Sequence, residues 1–262
     1  MKKIKANGIT INYQVDGPDK APWLIFSNSL ATNLAMWDEQ ARELSGKLRV
    51  LRYDQRGHGA TDAPAGRYPF DTLLADAIGL MDALGIEKAS FAGLSMGGAT
   101  ALGLAERHAD RLERVIVCDS PCQSTPASTQ QWEERIVVAQ KQGMDALVEP
   151  TVGRWFPPEV LAAKPPHVDK VRQMIRSTPV NGFIGCAAAL ADHNYAAAVG
   201  TVTRPALFIA GEKDGVTPAA MRKLSAALPG SRYVELPGAG HISNMDQPKA
   251  FTEVVRDFLK PA

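Results

Sequence analysis

Three residues far apart in the chain, Ser95, Asp214 and His241, have the types and the order that nucleophilic hydrolysis requires. A serine hydroxyl is a weak nucleophile until a base takes its proton, and an imidazole doing so needs a carboxylate to hold its tautomer and balance its charge. Ser95 lies in residues 93–97, Gly-Leu-Ser-Met-Gly, a G-x-S-x-G pattern. With this glycine and serine content the pattern would arise by chance in roughly one such chain in ten, so its placement carries the weight. Residues 89–92 form an apolar run suited to a strand, and residues 98–107 are rich in Ala and Leu and suited to a helix. A strand, a tight turn and a helix would lift the hydroxyl above a sheet, and glycine on either side would let the backbone pass closely. The serine itself should then be strained. The alternative for Ser95 is an ordinary helix N-cap.

The base must come from one of five histidines. His58 falls in a glycine-rich turn, His108 ends the helix behind Ser95, and His167 and His193 lie in a middle segment without strand signals. His241 follows Pro237-Gly238-Ala239-Gly240, a loop between the last strand-like run and the last helical stripe. That loop would reach the carboxyl edge of a parallel sheet beside the serine turn, so His241 is the expected base. Asp214 and Asp119 both follow strand-like runs between serine and histidine. Asp214 is favoured, because residues 211–214 form a glycine turn and polar loop just before a helix that Thr217 and Pro218 would start. Asp119 could instead bind local amides, and Glu212 is a third candidate. The tetrahedral intermediate needs two N–H donors. Met96, after the nucleophile, would supply one. Leu30, in the loop after residues 23–27, would supply the other, with Ser29 as the alternative; the loop could also simply cap the helix beginning near Leu34.

Several elements must hold these residues in place. Runs at 9–15, 23–27, 49–53, 89–92, 114–118, 206–210 and 233–236 read as strands. Helical stripes alternate with them, one through Phe70, Leu73, Leu74, Ala77, Ile78 and Met81 and another through Phe251, Val254, Val255, Phe258 and Leu259. This alternation predicts an α/β fold with a mostly parallel sheet covered by helices on both faces. The first run, followed by Gly17-Pro18, predicts an antiparallel hairpin leading into that sheet. From about residue 123 to 199 only helix-like stretches occur, separated by prolines at 150, 157, 158, 165, 166 and 179. The expectation is a hydrolytic core of residues 1–121 and 200–262 and a helical cap of residues 122–199.

A chain of 262 residues is near the upper size for one core, so an insertion is expected before a second domain. Its formal charge of +1 leaves no field to gather nucleic acid or an anionic membrane, and neither is an expected partner. Lys2, Lys3 and Lys5 form the one basic cluster, and Asn7, Asn12, Asp16 and Asp19 interrupt any apolar stretch behind it. No signal peptide is therefore expected, and the cytoplasm is the expected location. Cys118, Cys122 and Cys186 are an odd, sparse set without zinc-site spacing, and buried thiols are expected.

With serine turn, acid, histidine and oxyanion loop in this order, the whole chain resembles the α/β-hydrolase superfamily, and within it the 3-oxoadipate enol-lactonases. The likeness extends to Ser27-Asn28-Ser29-Leu30, Met36-Trp37-Asp38, Arg154-Trp155-Phe156 and residues 53–59, 182–189 and 240–248. The resemblance implies hydrolysis of a small enol-lactone in aromatic degradation, with a small-molecule lactone or ester as partner and neither cofactor nor metal. It also implies that Trp132, Arg135 and Trp155 meet the substrate, with Arg135 one helical turn after Trp132. The alternatives are a core-packed Trp132 and a solvated Arg135, with Arg154 the next cation for a substrate carboxylate. The chain departs from the family at Asp119-Ser120-Pro121-Cys122, where an Asn-Thr-Ala-Ala-like stretch is usual, and at Asp192-His193-Asn194-Tyr195. Both departures could border the substrate pocket. Rival readings on the same scaffold are a broad carboxylesterase, a perhydrolase-like enzyme or a C–C bond hydrolase, and from another class a ligand-binding protein.

Overall fold

Strands buried on both faces of a sheet read as near-continuous apolar runs, and two strands here are buried at every position. The computed structural model describes residues 1–197 and 199–260. It contains β1 (Lys2–Ala6), β2 (Ile9–Asp16), β3 (Trp23–Ser27), β4 (Arg49–Tyr53), β5 (Ala89–Leu94), β6 (Leu112–Cys118), β7 (Ala206–Gly211) and β8 (Arg232–Leu236). All six residues of β5 and of β7 are buried. One sheet of eight strands results, in the order β1-β2-β4-β3-β5-β6-β7-β8. From β4 onward along that order every pairing is parallel, while β1 and β2 are added antiparallel.

The hairpin forms on the opposite side of β2 from the one expected. Its turn is Asn7-Gly8, both residues at positive φ (46° and 76°), the geometry of a tight two-residue hairpin. Gly17, at φ 99°, instead carries the chain from β2 towards β3, which is not its neighbour; β2 pairs with β4. The missed strand, β1, lies at the sheet edge, and its three lysines are exposed there. Lysines on an edge hinder pairing with another chain, which accounts for the basic cluster.

The helices are α1 (Asp38–Leu44), α2 (Phe70–Ala83), α3 (Met96–Arg107), α4 (Pro126–Gln142), α5 (Asp145–Trp155), α6 (Pro158–Ala163), α7 (Pro166–Ser177), α8 (Val180–Asp192), α9 (Thr217–Ala227), α10 (Ser243–Asp246) and α11 (Pro248–Leu259). Of these, α1, α2, α3 and α9 are crossovers between parallel strands, with α2 against α3 and α1 against α11, which follows the last strand. Trp37 fills the space between two of these layers, stacked on Phe26 of β3 at 4.4 Å and tilted against Phe251 of α11 at 5.9 Å.

Helices α4 to α8 all lie between β6 and β7. The chain enters and leaves this block at one neck, where Gln123 bridges Asn194, Ser124 N–H donates to His193 O (2.9 Å) and Tyr195 N–H donates to Cys122 O (2.7 Å). Pro158 and Pro166 occupy first turns, where a missing N–H does no harm. Pro150 does not separate two helices as expected but sits inside α5, removing the donor that would meet the Ala146 carbonyl. Residue 198 of the expected cap and residues 261–262 of the expected core lie outside the described residues.

Beneath the block, the Arg56 guanidinium makes two hydrogen bonds to the Asp76 carboxylate of α2 (2.7 and 2.6 Å), and Asn7 adds a third (2.7 Å). The side chains are 9% and 2% exposed, so neither charge has water to fall back on. Burial pushes the Asp76 carboxyl above the usual carboxylate range, against the pull of Arg56 and Asn7. The pair is therefore felt most when one member is lost. Asp76→Ala should reduce stability by ~3–5 kcal/mol, seen as an earlier denaturation midpoint, while Asp76→Asn should lose less because one acceptor remains.

Candidate active site

Ser95 stands between β5 and α3 at φ 56° and ψ −113°, a conformation costing ~1–3 kcal/mol for a non-glycine residue. Its amide donates to Cys118 O at 2.8 Å, tying the turn to the end of β6. A Cβ on Gly93 would lie 1.9 Å from Gly97 O, and one on Gly97 would lie 2.1 Å from Ser27 O. Both glycines are thus required by the closeness of β3, the turn and α3.

His241 Nδ1 is 2.9 Å from Asp214 Oδ2, so the ring donates to the carboxylate there and its Nε2 is left as the unprotonated face. Ser95, Asp214 and His241 line one cavity of about 330 Å³. The acid sits in a loop closed by Asp214 N–H to Gly211 O (3.0 Å) and Lys213 N–H to Ala239 O (2.8 Å). The histidine loop is fixed from three sides. His241 N–H donates to Trp155 O (2.8 Å), the two rings stack with centroids 5.6 Å apart, and Gly240 N–H donates to Asp246 Oδ2 (2.7 Å). Asp246 in turn faces His167 Nε2 of α7 at 3.1 Å.

The rival acids have other partners. Asp119 is fully buried, accepts Gly211 N–H at 2.7 Å and accepts the Ser243 hydroxyl in a short hydrogen bond. Burial, followed by the nearby charge of Asp214, pushes its carboxyl well above the usual range. It joins the strand before the acid to the helix after the histidine. Glu212 is exposed and accepts Gly238 N–H at 2.9 Å beside Lys213.

In the loop after β3, Ser29 N–H points to Met36 Sδ (3.4 Å), Ala31 N–H to His58 Nε2 (2.8 Å) and Thr32 N–H to Ser29 O (3.2 Å). The Leu30 amide has no acceptor among the described residues, and Leu30 lines the cavity. Met96, the first residue of α3, likewise has an amide without an acceptor among them. Two free donors therefore stand at the serine, one at a helix N-terminus that favours developing negative charge.

Trp132, Trp155 and Arg154 line the same cavity, but Arg135 does not. Arg135, expected to meet the substrate, packs outside this cavity. Its guanidinium lies behind Trp132, 4.8 Å from the ring, and Nη2 donates to Thr151 Oγ1 at 2.8 Å. Burial, with the like charge of Arg154, lowers its pKa to about 9. Residues of both sequence departures, Ser120, Pro121 and His193, are in the cavity wall, as is exposed Val216 at its rim. Gln123, Ser124 and Gln131 add polar groups that no motif had marked. Only their position near the neck and on α4 signals them. The three cysteines are free and buried.

The parallel sheet, the strained turn after β5 and the acid and imidazole loops after β7 and β8 define a hydrolase scaffold of the α/β kind. Residues 22–248 match the family model described as alpha/beta hydrolase fold, and the chain belongs to that family. It is 35% identical to 3-oxoadipate enol-lactonase 2 of Acinetobacter baylyi over 98% of this chain and 96% of that one. The crystal structure of the enol-lactonase from Burkholderia xenovorans LB400 matches with TM-score 0.95 and 41% identity, covering 98% of this chain and 99% of that chain. RutD of Agrobacterium fabrum, a candidate carbamate hydrolase, is 26% identical over 93% of this chain and 95% of its own. With such relatives along its whole length, the protein is an ester-hydrolysing enzyme. No helix among the described residues is long and apolar enough to cross a membrane.

The two carboxylates can be told apart by isosteric substitution. Asp214→Asn should lower kcat by ~10⁴-fold by releasing the tautomer of His241. Asp119→Asn keeps an acceptor for Gly211 and a polar partner for Ser243, and should be mild by comparison in the same ester assay.

Proposed function

We propose that the enzyme opens a small carboxylated enol-lactone, 3-oxoadipate enol-lactone, through an acyl-serine intermediate in aromatic catabolism. The observation that carries this reading is Arg154, whose side chain lines the cavity of Ser95 and has no hydrogen-bond or ion-pair partner among the described residues. The residue is solvent-exposed, with its guanidinium 5.8 Å from the Trp132 ring, and partial desolvation by its neighbours lowers its pKa while the charge of Asp214 opposes that shift. Arg135 stands close enough for the two cations to repel. A substrate carboxylate at Arg154 would relieve that repulsion, beside an aromatic wall of Trp132 and Trp155. A second support is the likeness to two enol-lactonases.

In the reaction, Ser95 Oγ attacks the lactone carbonyl while His241 Nε2 takes the hydroxyl proton. The oxyanion forms between the amides of Leu30 and Met96. The ring C–O bond breaks, the enol oxygen leaves and receives the proton from His241, and the acyl group stays on Ser95. Water, deprotonated by His241, then attacks the acyl carbon and frees the acid, returning the proton to Ser95. The enol product tautomerises to 3-oxoadipate. Asp214 stays ionised throughout and steadies the imidazolium. We read residues 122–199 as a cap over this site on a core of residues 1–121 and 200–262, and place the enzyme in the cytoplasm, which suits three free thiols.

A second reading, a simple ester or a carbamate as substrate, is favoured by the wall residues Ser120, Pro121 and His193 and by the likeness to RutD. Turnover of the enol-lactone beside p-nitrophenyl acetate and an alkyl carbamate decides between them. The lactone should have the highest kcat/KM; a higher value on either of the others would overturn the substrate assignment. Ser95→Ala should lose ~10⁴-fold or more in kcat on all of them, and a fluorophosphonate should label Ser95 in the wild type, which a mere binding protein would not allow. Arg154→Gln should lose ~10- to 100-fold in kcat/KM on the lactone and little on p-nitrophenyl acetate. Equal losses on both would mark Arg154 as structural.

A further inference from the structure

We propose that His58 is the positioning residue of the oxyanion loop: it accepts the Ala31 amide and so leaves Leu30 N–H as the one donor of that loop facing the cavity. The inference rests on the serine reading above, since it concerns the donor that would hold the oxyanion. His58 is fully buried, with Nε2 2.8 Å from Ala31 N and Nδ1 3.0 Å from Arg56 O. An amide can donate only to an unprotonated ring nitrogen, so the proton sits on Nδ1 and points at the Arg56 carbonyl. The ring is therefore neutral and fully used. Burial pushes its pKa below the ordinary histidine value, which keeps the acceptor available at neutral pH. An imidazolium would set N–H against N–H and expel the loop.

The loop needs such an outside hold. Ala31 lies at φ 60°, a left-handed conformation that a residue with a Cβ adopts only under constraint. Asn28 spans the loop by donating to Ser29 O (3.1 Å) and Thr32 O (3.0 Å), which restrains carbonyls but directs no amide. Without His58 the buried Ala31 N–H would have no acceptor, and a rotation of the turn towards the cavity could satisfy it at the expense of Leu30. The acceptor itself is rigidly placed. His58 N–H donates to Gln55 O (2.9 Å), Thr61 N–H donates to His58 O (3.0 Å), and Arg56 is clamped by Asp76. Gly57 closes on α8 so tightly that a Cβ would stand 2.3 Å from Gly182 Cα, and the Cys186 thiol of α8 donates to the same Arg56 carbonyl at 3.3 Å. The oxyanion donor is thus referenced, through one imidazole, to α2 and α8.

Three variants test this. His58→Leu keeps bulk without an acceptor, His58→Gln can place its amide oxygen near the position of Nε2, and His58→Asn keeps polarity but is too short to reach Ala31. For p-nitrophenyl acetate, His58→Leu and His58→Asn should lose roughly 10²-fold in kcat with little change in KM, the scale of losing one oxyanion donor, and His58→Gln should recover most of it. Inhibition by an alkyl trifluoromethyl ketone, whose hemiketal with Ser95 needs the same donors, should weaken in step with kcat. If His58→Leu fails to fold, the comparison of Gln with Asn carries the test alone. Wild-type kcat and ketone inhibition in the Asn variant, or no recovery in the Gln variant, would overturn the inference while leaving the serine mechanism intact. A wild-type enzyme that a fluorophosphonate does not label at Ser95 would overturn the serine reading and this inference with it.

Discussion

The site is organised around one strained residue. A serine held at φ 56° and ψ −113° cannot persist unless its surroundings leave no better choice. Here the end of β6 takes its amide, Gly93 and Gly97 let the backbones of β3 and α3 close to distances no side chain would permit, and α3 begins at once behind it. The same constraint exposes the Met96 amide, because the first N–H of a helix has no turn beneath it to bind. Position of the hydroxyl and availability of the Met96 amide are therefore a single geometric fact. The other loops need only reach that point, which the carboxyl ends of neighbouring parallel strands allow.

Much of this was legible in the sequence, for identifiable reasons. Buried parallel strands announce themselves as apolar runs, so those runs coincide with β3 and β4 and end within two residues of the bounds of β5 to β8. β1 gave no such sign: its lysines belong to an exposed edge, and only the turn signal Asn7-Gly8 could have revealed it. Asp119 and Asp214 could not be separated by chain position, since both follow sheet strands. What separates them is direction, as one carboxylate turns inward to Gly211 and Ser243 and the other meets His241. Arg135 shows the limit of helical spacing as an argument. Its distance from Trp132 along α4 did place the two side chains together, yet the arginine lies behind the indole and outside the cavity. Which side of an aromatic ring a cation occupies depends on α5 and α8, whose packing no local pattern encodes.

The inserted helices bear directly on the chemistry of the sheet. Trp155 ends α5, yet its carbonyl holds the His241 amide and its ring stacks on the imidazole, while His167 of α7 meets the Asp246 that holds Gly240. On the other side, α8 touches the turn that carries His58 through Gly182 and Cys186. The His241 loop, and through His58 the Leu30 loop, are thus each braced by helices from outside the sheet. A change in how those helices sit would shift the His241 loop and the Leu30 loop as well as the shape of the cavity.

The neck has a further consequence, for how such a protein can change. Because Gln123 and Asn194 are paired, the two ends of the inserted block meet at one place above β6 and β7. Closing a connection there makes the sheet's register nearly indifferent to the length of chain that loops out, since the entropy of closure grows only with the logarithm of that length. Helices could be lengthened, shortened or exchanged beyond the neck without shifting a strand. The braces on His241 and His58 set the opposite limit: any replacement must still return a carbonyl near Gly240 and a bare backbone near Gly57. Variation in substrate range is free in the parts of the block that face the cavity and tightly bounded at those two points of contact.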